Sequence, residues 1–189
     1  MISKERIEKN KTIFFDTNEK YKIFTNELIE FLGDDFFLSP ASPSLDFYGA
    51  YPGGLLDHLI KVSKYSINVN ETLPESIRLE NSKILKTVFL SQIGKVFLFK
   101  FNENEWQRNN QGKIYTYRNE DMVALRVGER SVYYATKYGC ELTEEEYQAI
   151  INIDKDSDDK MAKQYSSLLS KIIKYGFELA LIVEKNGKK

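Results

Sequence analysis

Few residue types in this chain can carry acid-base, nucleophilic or metal chemistry, and two of them occur once. His58 is the only histidine, so any chemistry that needs a second imidazole is excluded. It has two readings: a general base working without metal, or a helix histidine hydrogen-bonded inside the protein, which the lack of a second visible catalytic group favours. Cys140 is the only cysteine, which excludes an internal disulfide and a cysteine-based zinc site. It follows Gly139 and precedes Glu141, a setting that does not lower a thiol pKa, so it is expected to be inert. Asp154, Asp156 and Asp158 imitate the start of a calcium loop. Such a loop needs glycine at its sixth place and glutamate at its twelfth, and Asp159 and Tyr165 stand there, so an acidic helix-capping loop is the better reading. Gly53-Gly54 before an apolar run admits either a phosphate cradle or a tight turn into a helix.

A second kind of chemistry is recognition. Between Lys95 and Arg118 five basic residues (Lys95, Lys100, Arg108, Lys113, Arg118) interleave with Phe97, Phe99, Phe101, Trp106, Tyr115 and Tyr117. Aromatics with arginine suit a protein interface, and aromatics with several cations suit single-stranded nucleic acid. The same rings would also serve simply to pack a hairpin on its neighbours. Lys and Arg total 27 against 28 Asp and Glu, which disfavours a nucleic-acid binder held by overall charge. Phe99, Phe101, Trp106, Arg108, Tyr115 and Tyr117 are the candidate partner-binding residues.

The elements that must position these groups follow from periodicity. Tyr21, Phe24, Leu28, Phe31 and Leu32 have helical spacing, and Gly33 is expected to end the run. The segment from Ser39 to Gly54 holds three of the four prolines and reads as an irregular loop. Leu55 through Ile67 gives a second helix and Glu80 to Gln92 a third. Val96–Phe101 and Ile114–Tyr117 are strand-like, so residues 96–118 are expected to form a hairpin with a polar loop over 102–113. Gly128–Tyr138 reads as a helix stopped by Gly139. Thr143 with Glu146 is a capping box, flanked by Leu142 and Tyr147 as a hydrophobic staple. A last helix is expected from Asp158 or Asp159, carrying Met161, Tyr165, Leu169, Ile172, Ile173 and Phe177 inward, with a frayed tail at 185–189. The expectation is one mainly α domain over the 189 residues, with its core at about 20–182 and a small β-hairpin insertion. The charged first residues hold no apolar signal segment, and no run spans a bilayer, so a soluble cytoplasmic protein is expected.

Three blocks in order carry a resemblance. They are Phe36–Ser42 followed by Gly49-Ala-Tyr-Pro-Gly-Gly-Leu-Leu-Asp-His58, then Leu90-Ser-Gln-Ile-Gly-Lys95, then Leu125-Arg-Val-Gly-Glu-Arg-Ser-Val132 with Leu142–Glu146 after it. Over residues 20–180 they resemble the HD-domain phosphohydrolase superfamily, especially small HD proteins of phages and bacteria. The resemblance implies an HD-like helical bundle. In active members of that superfamily histidines and aspartates hold one or two divalent metals that activate a water against a phosphate ester.

Matched residue by residue, His58 keeps the first ligand position, but the His-Asp pair falls on Ser91 and Gln92. The later histidines fall on Val127 (before Glu129) and Ile153, and the late aspartate falls near Tyr175. One neutral imidazole and an amide lack the donors and charge for such a metal. The resemblance therefore implies a pseudoenzyme with a relict pocket of His58, Ser91, Gln92, Val127, Glu129 and Ile153. No cofactor and no metal are expected, and a protein partner is, within a phage or host assembly. Two alternatives stay open: a divergent phosphohydrolase recruiting Asp57 and Glu129 beside His58, and a nucleotide sensor without hydrolysis.

Overall fold

The computed structural model describes residues 3–118, 122–153 and 165–186. Its elements in chain order are α1 (Lys4–Tyr21), α2 (Asn26–Leu38), α3 (Gly54–Glu71), α4 (Asn81–Ser91), β1 (Phe99–Phe101), α5 (Glu105–Gln111), β2 (Tyr115–Tyr117), α6 (Val127–Lys137), α7 (Glu144–Asn152) and α8 (Leu168–Asn186). The fold is mainly helical with one small antiparallel hairpin, as the periodicity predicts. In it Phe99 faces Tyr117 and Phe101 faces Tyr115.

The long helices α3 and α8 lie against each other through small residues. A Cβ on Gly176 would stand 2.7 Å from the Ser66 backbone nitrogen, so only glycine permits this approach. Helix α4 packs on α3, and α6 and α7 pack on α4. On the other flank Phe14 of α1 sits among Phe24, Phe36, Phe37 and Phe89, with ring centroids 5.1–5.7 Å away and edges turned to faces.

Several expectations need correction. Helix α1 lies ahead of the expected core, yet its Phe14 is wholly buried. Gly33 does interrupt the helical run, at a non-helical φ +52°, ψ −149°, but a further helical stretch follows this kink and reaches Leu38. The strands are shorter than predicted, because Ile93–Lys95 forms a 3-10 turn first. The polar stretch between them holds α5, capped by the Asn104 side chain and closed by Gly112 at φ +61°. Tyr165–Ser167 are not helical, so the last helix carrying the expected apolar face begins at Leu168. It runs on to Asn186, through the first residues of the expected tail. The Asp154–Asp158 motif, Asp159 and Met161 lie outside the described residues. The capping box at Thr143 and Glu146 forms as read.

Candidate functional site

Helix α3 begins where the chain turns back on α2. Gly53 takes φ +79°, a left-handed conformation open to glycine. Gly53 N–H donates to Leu38 O, Gly54 N–H to Tyr51 O and Leu55 N–H to Ser39 O, at 2.9–3.0 Å. These donors are spent within the chain, so Gly53-Gly54 is a tight turn rather than a phosphate cradle.

The turn sets Asp57 and His58 on the first turns of α3, and both are buried. Asp57 accepts from Arg6 Nε (2.8 Å) and Nη2 (3.1 Å), Asn10 Nδ2 (3.1 Å), Tyr51 Oη (2.9 Å) and Lys61 Nζ (2.9 Å). Burial pushes its pKa up, but the hydrogen bond and charge of Lys61, with Asn10 and Tyr51, hold it below the usual value. Lys61 also donates to Glu184 Oε1 at 2.7 Å. Burial would lower the Lys61 pKa, and its two carboxylate partners raise it instead.

Glu184, from α8, reaches His58 Nδ1 at 2.9 Å with its other oxygen. The His58 ring has no exposure. Tyr48 lies over it, centroids 4.1 Å apart, and Phe177 meets it edge-on at 5.2 Å. Burial lowers the His58 pKa; Glu184 opposes this, and the Lys95 and Lys61 cations add to it. The ring is therefore neutral, with its proton on Nδ1 donated to the carboxylate. Burial would raise the Glu184 pKa, and the bonds from His58 and Lys61 lower it.

Lys95 closes the group. It is 8% exposed, and its Nζ donates to Ala41 O and Tyr48 Oη, both at 2.9 Å. His58 Nε2 and Gln92 Oε1 are buried without a hydrogen-bond partner. One imidazole nitrogen and one amide oxygen, with the Lys95 ammonium acting on the ring, do not fit a divalent cation. Among the described residues no group of three or more His, Cys, Asp or Glu could hold one.

The remaining residues of the expected pocket divide. Ser91 and Gln92 end α4, and Ser91 O accepts from Ser131 Oγ of α6 at 3.0 Å. Gly94 then presses on α6, with an added Cβ only 3.0 Å from Ser131 N and in collision with Val127 O. Gly128 packs as closely on Ile150 and Ile151, and Ile153 caps α7, buried. Ser91 and Val127 thus lie where the end of α4 and the turn after it meet α6, while Gln92 and Ile153 are buried at the ends of α4 and α7. Glu129 is exposed and accepts from Arg126 N–H at 2.9 Å, as the capping group of α6. Tyr175 is 55% exposed, and the inward carboxylate of α8 comes from Glu184 instead. Glu184 is the functional residue that sequence reasoning missed. It lies two helical turns after Phe177, on the same face of α8.

The recognition residues also divide. Phe101, Trp106 and Tyr117 are 58%, 61% and 49% exposed. Arg108 is half-buried and stacks over Phe101, its guanidinium carbon 4.9 Å from the ring centroid. Phe99 is buried, and Tyr115 is half-buried, its pKa raised by burial. All four hairpin rings share one face, Phe99 against Tyr117 and Phe101 against Tyr115 with centroids 5.2 and 6.4 Å apart, and Phe101 and Tyr117 are its exposed members. Lys95, counted among the interleaved cations, is inside the protein. The Pro-rich loop braces the ribbon: Leu45 N–H donates to Gly112 O, Tyr115 N–H donates to Pro43 O, and Ser44 bridges Lys113. No helix among the described residues is long and apolar enough to cross a membrane. Protein-family models, curated proteins and solved structures were all compared with the chain, and none matches.

Proposed function

We propose that this chain is a non-catalytic binding module that engages a protein partner through its hairpin ribbon. The observation that carries this reading is the exposure of Phe101, Trp106 and Tyr117 along the hairpin and its connecting helix, each about half exposed or more, with Arg108 stacked over Phe101. Trp, Tyr and Arg are the side chains that dominate binding energy at protein interfaces. The ribbon is braced by the Pro-rich loop, which lowers the entropy lost on docking. With Lys95 turned inward and a net charge of −1, the face has less to offer a nucleic-acid backbone than a protein.

The closed state of His58 supports the non-catalytic half. A general base must come within hydrogen-bond reach of a substrate, and this imidazole has no exposure, with Nδ1 engaged by Glu184. The order of the sequence blocks supports descent from an HD-like protein that has exchanged its metal for an internal ion-pair network. A place within a phage or host assembly belongs to the same proposal.

Two measurements test it. The full chain and a Phe101→Ser/Trp106→Ser variant are each isolated from the native source with whatever assembly travels with them. The wild type is expected to retain a stoichiometric partner that the variant loses by at least ~10-fold; equal retention overturns the interface. Phosphatase and phosphodiesterase turnover with added manganese, abolished by His58→Ala, overturns the non-catalytic reading.

A further inference from the structure

Arg130 lies on α6, away from the ion pairs that surround His58. It is 6% exposed, and its Nη2 donates to Val123 O at 2.9 Å, while its Nε is buried without an acceptor. Among the described residues no carboxylate pairs with it. A guanidinium carries five N–H donors and stays charged at any ordinary pH. Holding such a charge out of water with one carbonyl for company is costly, and an opposite charge must offset that cost.

The same side chain lines a cleft of about 520 Å³, the size of small-ligand sites. Met122, Val123, Leu125, Tyr133 and Tyr134 line the rest. Val123 is 76% exposed, Tyr133 50% and Leu125 40%, so the apolar wall is open to solvent. Arg130 is held from behind. Gly94 lies so close that a Cβ there would stand 3.0 Å from Arg130 Cβ. The base of the side chain is thus held, and its guanidinium, with one carbonyl partner, is set among apolar and aromatic side chains.

We infer that this cleft binds a carboxylate carried on an apolar or aromatic body, with the carboxylate on Arg130 and the body against Val123, Leu125 and Tyr133. A carboxylate matches the planar fork of the guanidinium, and its single charge balances the single buried cation. The chemistry has two sources: a free organic acid, or an aspartate or glutamate flanked by apolar residues in a partner. The inference does not rest on the hairpin interface.

The test uses the full chain and amide-resolved NMR titration with matched probes. These are 3-phenylpropionate against 3-phenylpropionamide, and a blocked Leu-Glu-Phe tripeptide against Leu-Gln-Phe. An acid is expected to bind saturably in the millimolar range, at least ~10-fold tighter than its amide, shifting signals around Arg130 and Tyr133. Binding by the tripeptide alone assigns the carboxylate to a partner, and binding by the free acid assigns it to a small molecule. Arg130→Gln should abolish binding. Because that side chain is buried, Tyr133→Ala at a half-exposed position is the second variant, expected to weaken binding ~3- to 10-fold with the fold intact. The inference is overturned by any of three results: neither acid binds, acid and amide bind equally, or a folded Arg130→Gln variant binds as the wild type does. It also falls if the acids bind only after Glu120→Gln and Asp121→Asn are introduced together, because the chain then supplies its own counter-charge.

Discussion

At the scale of single residues, buried ion pairs join α1, α3 and α8, and this makes stability depend on pH. His58 is neutral in the folded protein and titrates near 6.5 when unfolded. Below pH 6.5 the unfolded chain takes up a proton that the folded one refuses, so stability falls as the pH falls. Asp57 and Glu184 act further down. Their folded pKa values lie below the ordinary 3.8 and 4.5, so their contribution is complete above those values and is lost as pH drops through the folded ones. Lys61 has a raised pKa, and its contribution is lost only as pH rises beyond 10.5. The melting temperature of the wild type should therefore decline already between pH 7 and about 5.5, and decline again in stronger acid. In His58→Gln the first decline should vanish and the second remain. A His58→Gln profile that keeps the decline near neutrality would mean that another group carries it.

At the scale of elements, the crossing of α3 and α8 decides whether Glu184 can reach both Lys61 and His58, and that crossing hangs on Gly176. A methyl there would meet the Ser66 backbone nitrogen at 2.7 Å and its Cα at 2.8 Å, so the helices must part. Gly176→Ala should cost about 1–3 kcal/mol, a fall of roughly 3–10 °C in melting temperature. Adding Ser66→Gly should recover only part of this, because backbone atoms also stand in the way; full recovery would place the whole clash on the serine hydroxyl. Neither this crossing nor its partner carboxylate was easy to see in the sequence. The Thr143–Glu146 capping box was legible because its atoms lie within one turn and make the bonds that the motif predicts. The apolar faces of α3 and α4 were legible because each buries a wide stripe. Helix α1 was not, since it buries only Phe14 and Asn10 among eighteen mostly charged and polar residues. Helix α5 buries nothing, so its only traces are Asn104 and Gly112 at its ends. Glu184 was hidden for a different reason. A carboxylate near a chain end reads as solvated until the partners that bury it, Lys61 and His58, are known from the fold.

At the scale of the whole molecule, one aromatic cluster joins elements that are distant in sequence, and it makes α1 part of the core rather than an appendage. Phe14 touches rings from α2 and α4 and the Phe24 ring between α1 and α2. Arg6 and Asn10 of the same helix hold Asp57 on α3. Loss of α1 would therefore uncover both the aromatic cluster and the ion pairs around Asp57. Phe14→Ala removes a wholly buried ring from five ring contacts and should cost about 3–5 kcal/mol. The exposed ribbon predicts the opposite: Trp106→Ser should change stability by no more than about 0.5 kcal/mol, because the ring it removes is 61% exposed. Hydrogen exchange distinguishes a shared core from a docked helix. If the cluster unites the fold, Phe14→Ala lowers the protection of α3, α4 and α8 together by the amount the global stability falls. Protection lost in α1 alone, with the other helices unchanged, would show that α1 opens by itself and that the network around Asp57 stands without it.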